Sequence, residues 1–192
     1  DIHIVHKQMG GGDESKMLWQ LRRPKKLCAV VESVHCPRDC KTPEDIVDHV
    51  CVASEYTMEQ QTHNLPTDVV HYGCKPVAPS MSVDVVREKW GIPETALVIG
   101  RIGRLSGSKL VHETVYAAAI AHNNIPNMHC IIGGAIPKDE GEHYYNSIVN
   151  KFGQHPNIHF IGEADTPEDR AAYLAAMDVC VYPTQGEGFG MI

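Results

Sequence analysis

Ala96-Leu97-Val98-Ile99-Gly100-Arg101-Ile102 runs into Gly103-Arg104-Leu105-Ser106-Gly107-Ser108-Lys109. The first seven residues read as a short, largely apolar strand, the next seven as a glycine-containing bend, and a helix is predicted from about Lys109 to His122. The pattern recurs downstream. A strand is predicted at Met128 to Ile132, a helix from about Glu140 to Phe152, and a strand at Asn157 to Ile161. The helix after it has a marked start, with Thr166 as cap, Pro167 at the first helical position, and Glu168 and Asp169 in the first turn. Asp178 to Tyr182 reads as a further strand. Strands alternating with helices of ten or more residues imply right-handed crossovers and an open parallel sheet, an α/β fold. Ligands of such sheets bind at loops beyond the carboxyl ends of strands.

Upstream, Asp1 to His6, Leu27 to Val34 and His49 to Ala53 read as short apolar strands suited to a sheet covered on both faces. Ser54 can cap a helix running to about His63, and Asp68 to Tyr72 returns as a strand. Pro76-Val77-Ala78-Pro79 has linker composition, and a short helix is expected from about Ser82 to Trp90. The expected domains are therefore residues 1–78 and 79–192. The chain starts without methionine inside a strand and stops after a glycine-rich loop, so both ends read as cut.

A chain of 192 residues can bury a real core, and 43% hydrophobic with 21% charged residues suits a folded, water-soluble protein. The formal charge of -7 argues against a nucleic-acid partner, which would require a basic face. Arg22-Arg23-Pro24-Lys25-Lys26 reads as a solvated turn or helix end, with peripheral contact to an acidic membrane surface as the second reading. Seven cysteines, an odd number, several within apolar runs such as Val179-Cys180-Val181, suit reduced and buried thiols in a cytoplasmic protein. Cys36 and Cys40 follow His35 without a fourth ligand at recognisable spacing, so no metal site is expected. No apolar run reaches the ~18 residues of a membrane span.

Two loops carry candidate chemistry. In Gly103 to Lys109 an arginine and a lysine stand five residues apart where a helix begins, so two cations and free backbone N–H groups can converge on an anion such as a diphosphate. Surface charges in a turn are the alternative. In Pro183-Thr184-Gln185-Gly186-Glu187-Gly188-Phe189-Gly190, glycines let the main chain approach a ligand and Glu187 can accept hydrogen bonds from sugar hydroxyls. A tight turn explains that loop equally well.

The order of these motifs resembles the retaining glycosyltransferases with two Rossmann-like domains, the GT-B type that includes the group 1 glycosyl transferases. Gly103-Arg104-Leu105 with Lys109, then Asn157-Ile158 with Phe160 and Gly162, then Tyr173, then Asp178-Val179, Val181 and Pro183, and last Glu187-Gly188-Phe189-Gly190 follow the family's sequence of motifs. Asp1 to His6 and Val31-Glu32-Ser33-Val34-His35 are similar, less tightly, to its first strands. His35 is the candidate at the cleft, a structural hydrogen bond being its other reading, and for His6 the structural reading is preferred.

The resemblance implies a nucleotide-diphosphate sugar as donor substrate, no cofactor, and a carbohydrate, lipid-linked or small-molecule acceptor. It implies that Arg104 and Lys109 stabilise the diphosphate and that Glu187 holds donor sugar hydroxyls. Gly103, Gly188, Phe189 and Gly190 would bring backbone to the donor, and His35 would touch a sugar hydroxyl. Asp-x-Asp, the usual carboxylate anchor for a divalent ion in the other main glycosyltransferase architecture, is missing from the sequence, so metal-independent transfer is expected.

There are departures. The family's second glutamate falls eight residues after Glu187, beyond Ile192. Leu110 replaces a glycine after the lysine, and Tyr72-Gly73-Cys74-Lys75 replaces Asn-Gly-Val-Asp. The amino-terminal glycine-rich loop and last helices of the family pattern are not recognised. Weak donor binding and little turnover by these 192 residues are therefore expected. Rival readings are a nucleotide-sugar epimerase or phosphorylase on a similar scaffold, or an inactive binding fragment. A dehydrogenase is disfavoured because no Gly-x-Gly-x-x-Gly follows a strand with an acidic residue at the right distance.

Overall fold

The computed structural model describes residues 2–5, 29–37, 39–40, 42, 44–138 and 140–190. His6, the basic run at 22–26 and Cys28 lie outside these described residues. The chain divides into two compact units, one formed by Asp1–Cys74 with Gly186–Met191 and the other by Lys75–Gln185.

The first unit holds β1 (Ile2–Val5), β2 (Ala29–Val34), β3 (His49–Val52), α1 (Glu55–Glu59) and β4 (Thr67–Val69). Its strands pair in parallel in the order β1-β2-β3-β4. Val30 and Val34 of β2 and Val50 and Val52 of β3 are buried at the two-residue period of a strand, and they form the core with Cys40 and Val47. Ser54 caps α1 as expected, accepting from the Thr57 N–H at 3.2 Å. The helix is shorter than the sequence suggests because the residues after it are taken up elsewhere. Gln61 Oε1 accepts from Cys40 N–H at 2.9 Å, and Thr62 N–H donates to Asp39 at 3.0 Å. β4 is also short: its ladder runs out when Val70 N–H has reached Val52 O, where β3 ends.

The second unit holds α2 (Val83–Lys89), β5 (Leu97–Ile102), α3 (Val111–His122), β6 (Met128–Gly133), α4 (Glu140–Phe152), β7 (Ile158–Gly162), α5 (Pro167–Ala175) and β8 (Val179–Cys180). All pairings are parallel and the strand order is β7-β6-β5-β8, so progression across the sheet reverses between β5 and β8. Every residue of β6 is buried, because helices cover both faces. On one side Ile131 joins Val86, Val98, Ile102 and Ala172, from α2, β5 and α5. On the other, Cys130 and Ile132 join Val111, Val115 and Ile148, from α3 and α4. Each fully buried Val or Ile contributes about 1.5–3 kcal/mol to holding these layers together. Ser82 and Thr166 cap α2 and α5, with Pro167 at the first helical position.

β8 is shorter than expected for a local reason. After Val181 N–H reaches Gly100 O, the Tyr182 hydroxyl takes the place of the backbone ladder, accepting from Ile102 N–H at 3.0 Å and donating to Ile102 O at 3.1 Å. Pro183 then has no N–H to give. As the edge of this sheet, β8 leaves Val179 50% exposed and Cys180 exposed. That corrects the expectation of a buried thiol there. Cys74 is exposed too, whereas Cys40 and Cys130 are buried. Burial pushes the last two thiols up to about 11 and about 12. Among the described residues no helix is long and apolar enough to cross a membrane.

Candidate functional site

In the second unit the loops leaving β5 and β8 flank the place where strand order reverses, the position at which open α/β sheets bind ligands. They touch one another: the Ser108 carbonyl accepts from Gln185 N–H at 3.4 Å and from the Thr184 hydroxyl at 3.5 Å. Leu105 anchors the first loop, its side chain buried and its N–H bonded to Ala135 O at 2.8 Å. Arg104 is exposed and Lys109 half-buried. Lys109 ends a 3₁₀ turn, Gly107–Lys109, that leads into α3. The bend at Leu110 has φ 47° and ψ 42°, a left-handed conformation that costs a side-chain-bearing residue about 1–2 kcal/mol. That geometry gives a physical reason for the glycine of the family pattern at this position.

Two residues that pack under this loop, one in β5 and one just after β6, escaped the sequence reading. Arg101 is 2% exposed, donates from Nη1 to the Lys109 carbonyl, and lies 5.2 Å from the centre of the Tyr182 ring. It therefore holds the turn that carries Lys109. A charged residue inside an otherwise apolar strand was the available signal. Gly134, with φ 135°, packs against the Gly103 backbone so closely that a Cβ would lie 1.8 Å from Gly103 O. Gly103 N–H in turn donates to Gly133 O at 2.9 Å.

In the first unit the structure brings His35, Gly188 and Phe189 together. Gly188 is buried against the His35 backbone, where a Cβ would stand 2.2 Å from the His35 carbonyl oxygen. Its own carbonyl accepts from the hydroxyls of Ser54 and Thr57, the latter at 3.2 Å. The amino end of α1 thus fixes the Glu187-Gly188-Phe189-Gly190 segment by its main chain. Glu187 is half-buried and Gly190 exposed, with φ 74°. The Tyr72 ring lies against His35, with centres 5.4 Å apart and its hydroxyl bonded to Nδ1, and Phe189 in turn meets Tyr72 edge-on at 5.3 Å. Burial pushes the Tyr72 phenol up, so it stays protonated. Tyr72 was visible in the sequence only as a departure from the family pattern.

The second unit can therefore offer two cations and backbone N–H groups to an anion. The first can offer a carboxylate, an imidazole and close main chain to a polyhydroxyl group. Among the described residues no group of three or more His, Cys, Asp or Glu side chains is placed to hold a metal ion.

Comparison with known proteins gives a consistent picture. The family described as glycosyl transferases group 1 matches residues 82–192. Among solved structures, the chain is similar to HepE of Anabaena in complex with UDP, at 16% identity and a TM-score of 0.70, covering 97% of this chain and 55% of that one. It is similar to TarM, at 14% identity and 0.66, covering 98% and 37%. It is also similar to a trehalose 6-phosphate synthase from Burkholderia multivorans, at 12% and 0.68, covering 98% and 51%. The fold is thus that of the GT-B glycosyltransferases, and the chain spans 37% to 55% of the length of these structures. No curated protein matches the chain.

Proposed function

The chain belongs to the glycosyl transferases group 1 family, and on that premise we propose that it serves to move a hexose-type sugar from a nucleotide-diphosphate sugar to a hydroxyl acceptor. The transfer keeps the anomeric configuration and needs no metal ion. The observation that supports this best is the reversal of strand order between β5 and β8, with Arg104 and Lys109 on the loop that leaves it.

As the bond from the anomeric carbon to the diphosphate oxygen breaks, negative charge grows on the leaving group and positive charge on the sugar. Arg104 and Lys109 then act more strongly on the transition state than on the ground state, which is the condition for catalysis. Two such cations can take the charge that a divalent ion takes in other sites. Glu187 accepts hydrogen bonds from donor sugar hydroxyls, the main chain at Gly103, Gly188, Phe189 and Gly190 borders the donor, and His35 contacts a hydroxyl. The acceptor oxygen attacks from the face the diphosphate leaves, and its proton passes to the departing phosphate oxygen. This route retains configuration without a carboxylate nucleophile.

Incubation of the complete protein with a panel of nucleotide sugars and acceptors, with products read by mass spectrometry and anomeric NMR, tests the reading. Transfer with the donor's anomeric configuration, unchanged by a chelator, is expected. An epimerised sugar or a free sugar phosphate would overturn transfer, an inverted product would overturn retention, and loss of activity with the chelator would overturn metal independence.

A further inference from the structure

We propose that Tyr144, reaching across from α4, is a positioning residue that caps α3 and so holds the left-handed turn at Leu110 that sets where Lys109 stands. That the place of Lys109 matters for sugar transfer rests on the transferase reading above; the cap itself does not. The first amides of a helix find no acceptor within it. At the start of α3 the capping place falls to Leu110, whose side chain has no atom that can accept. Glu113 N–H folds back on Leu110 O at 3.1 Å. His112 N–H is left to Tyr144, whose hydroxyl oxygen accepts from it at 2.9 Å. A main-chain amide can only donate, so the direction of this bond is fixed. The same hydroxyl lies 2.7 Å from His112 Nδ1, and the two rings meet edge-on with centres 5.7 Å apart. Tyr144 thus engages this residue of α3 through both its amide and its ring.

The turn before the helix has a reason to open. Leu110 holds φ 47°, a strain of about 1–2 kcal/mol that unwinding the first turn of α3 would relieve. One hydrogen bond contributes about 1 kcal/mol, so the bond from His112 to Tyr144 is of the size needed to oppose it. Arg101 holds the Lys109 carbonyl from β5, and Tyr144 holds the start of the helix that follows. Lys109 lies between these two braces. A phenol suits the second of them. Burial pushes the Tyr144 hydroxyl up, against the pull of the His112 and Val111 amides, so the cap stays neutral. A carboxylate would accept the same amide but would set negative charge beside Lys109, where the donor diphosphate has to come.

The test uses Tyr144→Phe in the complete protein, which removes the hydroxyl and keeps the ring. In hydrogen exchange the amides of Lys109, Leu110 and His112 should exchange about 3- to 10-fold faster, the worth of one hydrogen bond, while those of β6 stay as slow as before. In transfer assays kcat should fall about threefold in Tyr144→Phe, and no further when Tyr144→Phe is added to Lys109→Met, because the cap acts through the ammonium already removed. Unchanged exchange at Lys109, Leu110 and His112, or an equal rise in β6, would overturn the proposal. So would an equal loss of kcat in both backgrounds, which marks a general structural role, or an unchanged kcat in an active enzyme. If the amides respond as described while the unmodified protein transfers no sugar, the cap stands and the transferase reading fails.

Discussion

Both sheets close a strand pair with the same device. In the first unit Asp48, just before β3, accepts Val30 N–H of β2 at 2.7 Å and returns its own N–H to Val30 O at 2.9 Å. In the second Asp178, just before β8, does the same with Val98 of β5, at 2.7 Å in both directions. The units differ in what the closed pair joins. β2 and β3 are successive strands of a sheet laid down in chain order, whereas β5 and β8 are the first and last strands of theirs. Identical local chemistry thus gives one sheet that keeps its direction and one that reverses. Only the reversal sets two strand-end loops side by side, so the second unit can present fixed charge from backbone turns. The first must build its candidate site from stacked rings and a segment distant in sequence.

This contrast can be attacked at several strengths. The largest effect should come from Arg104→Met combined with Lys109→Met, which should lower kcat about 10³-fold and weaken nucleoside diphosphate binding in calorimetry while leaving the melting temperature nearly unchanged. A larger kcat loss from Glu187→Gln would place the main electrostatic burden in the first unit and break the division of labour. Next, Gly134→Ala sets a Cβ against main chain that cannot step aside, and should cost roughly 3 kcal/mol in denaturant titration. Gly188→Ala should cost roughly 2 kcal/mol for the same reason. By hydrogen exchange its loss should be confined to the amides of β2 and β3, and an equal loss in β5 and β6 would contradict the separation of the units.

Acid should act on the second unit first. His129, His155 and His159 all lie there with values lowered mainly by burial, His159 from 6.5 to about 4. His129 and His159 stack at 5.2 Å and share a 2.9 Å hydrogen bond. The folded form favours the neutral rings, while the unfolded chain takes up protons below 6.5. The His159 contribution is therefore complete above 6.5, falls away as pH drops toward about 4, and changes no further below it. After allowance for partial exposure this loss is on the order of 1 kcal/mol. Melting curves between about pH 7.5 and about pH 4 check it, and His159→Phe should flatten the dependence. The smallest effect is expected from Leu110→Gly, which relieves a left-handed bend but loses side-chain packing and frees the unfolded chain. A gain of about 0.5 kcal/mol is expected, read in the same titration.

The alternation of strands and helices was legible because it is written locally, in apolar periods and in the caps at Ser54 and Thr166. So was the bend from Gly103 to Lys109 with its two charges, since they are neighbours in sequence. What escaped depends on contacts between distant residues. Nothing near Arg101 announces that its guanidinium turns under Lys109, and nothing near Tyr72 names His35 as its partner. The exposure of Cys180 escaped for a similar reason, because an apolar triplet reads as interior whether or not its sheet continues past it. Element ends were misjudged where side chains intercept the backbone, as Tyr182 does at β8 and Gln61 after α1.

Gly188 reaches Ser54 across 134 residues of chain. As the polypeptide leaves the ribosome, β1 to β4 therefore emerge well before the piece that locks onto α1, and the whole of Lys75–Gln185 is made in the interval. Contacts that distant are formed late and slowly. In this protein the glycine-rich segment accordingly reaches the main chain of His35 only after the whole of Lys75–Gln185 has been made, so the first unit cannot complete its packing before the second has left the ribosome.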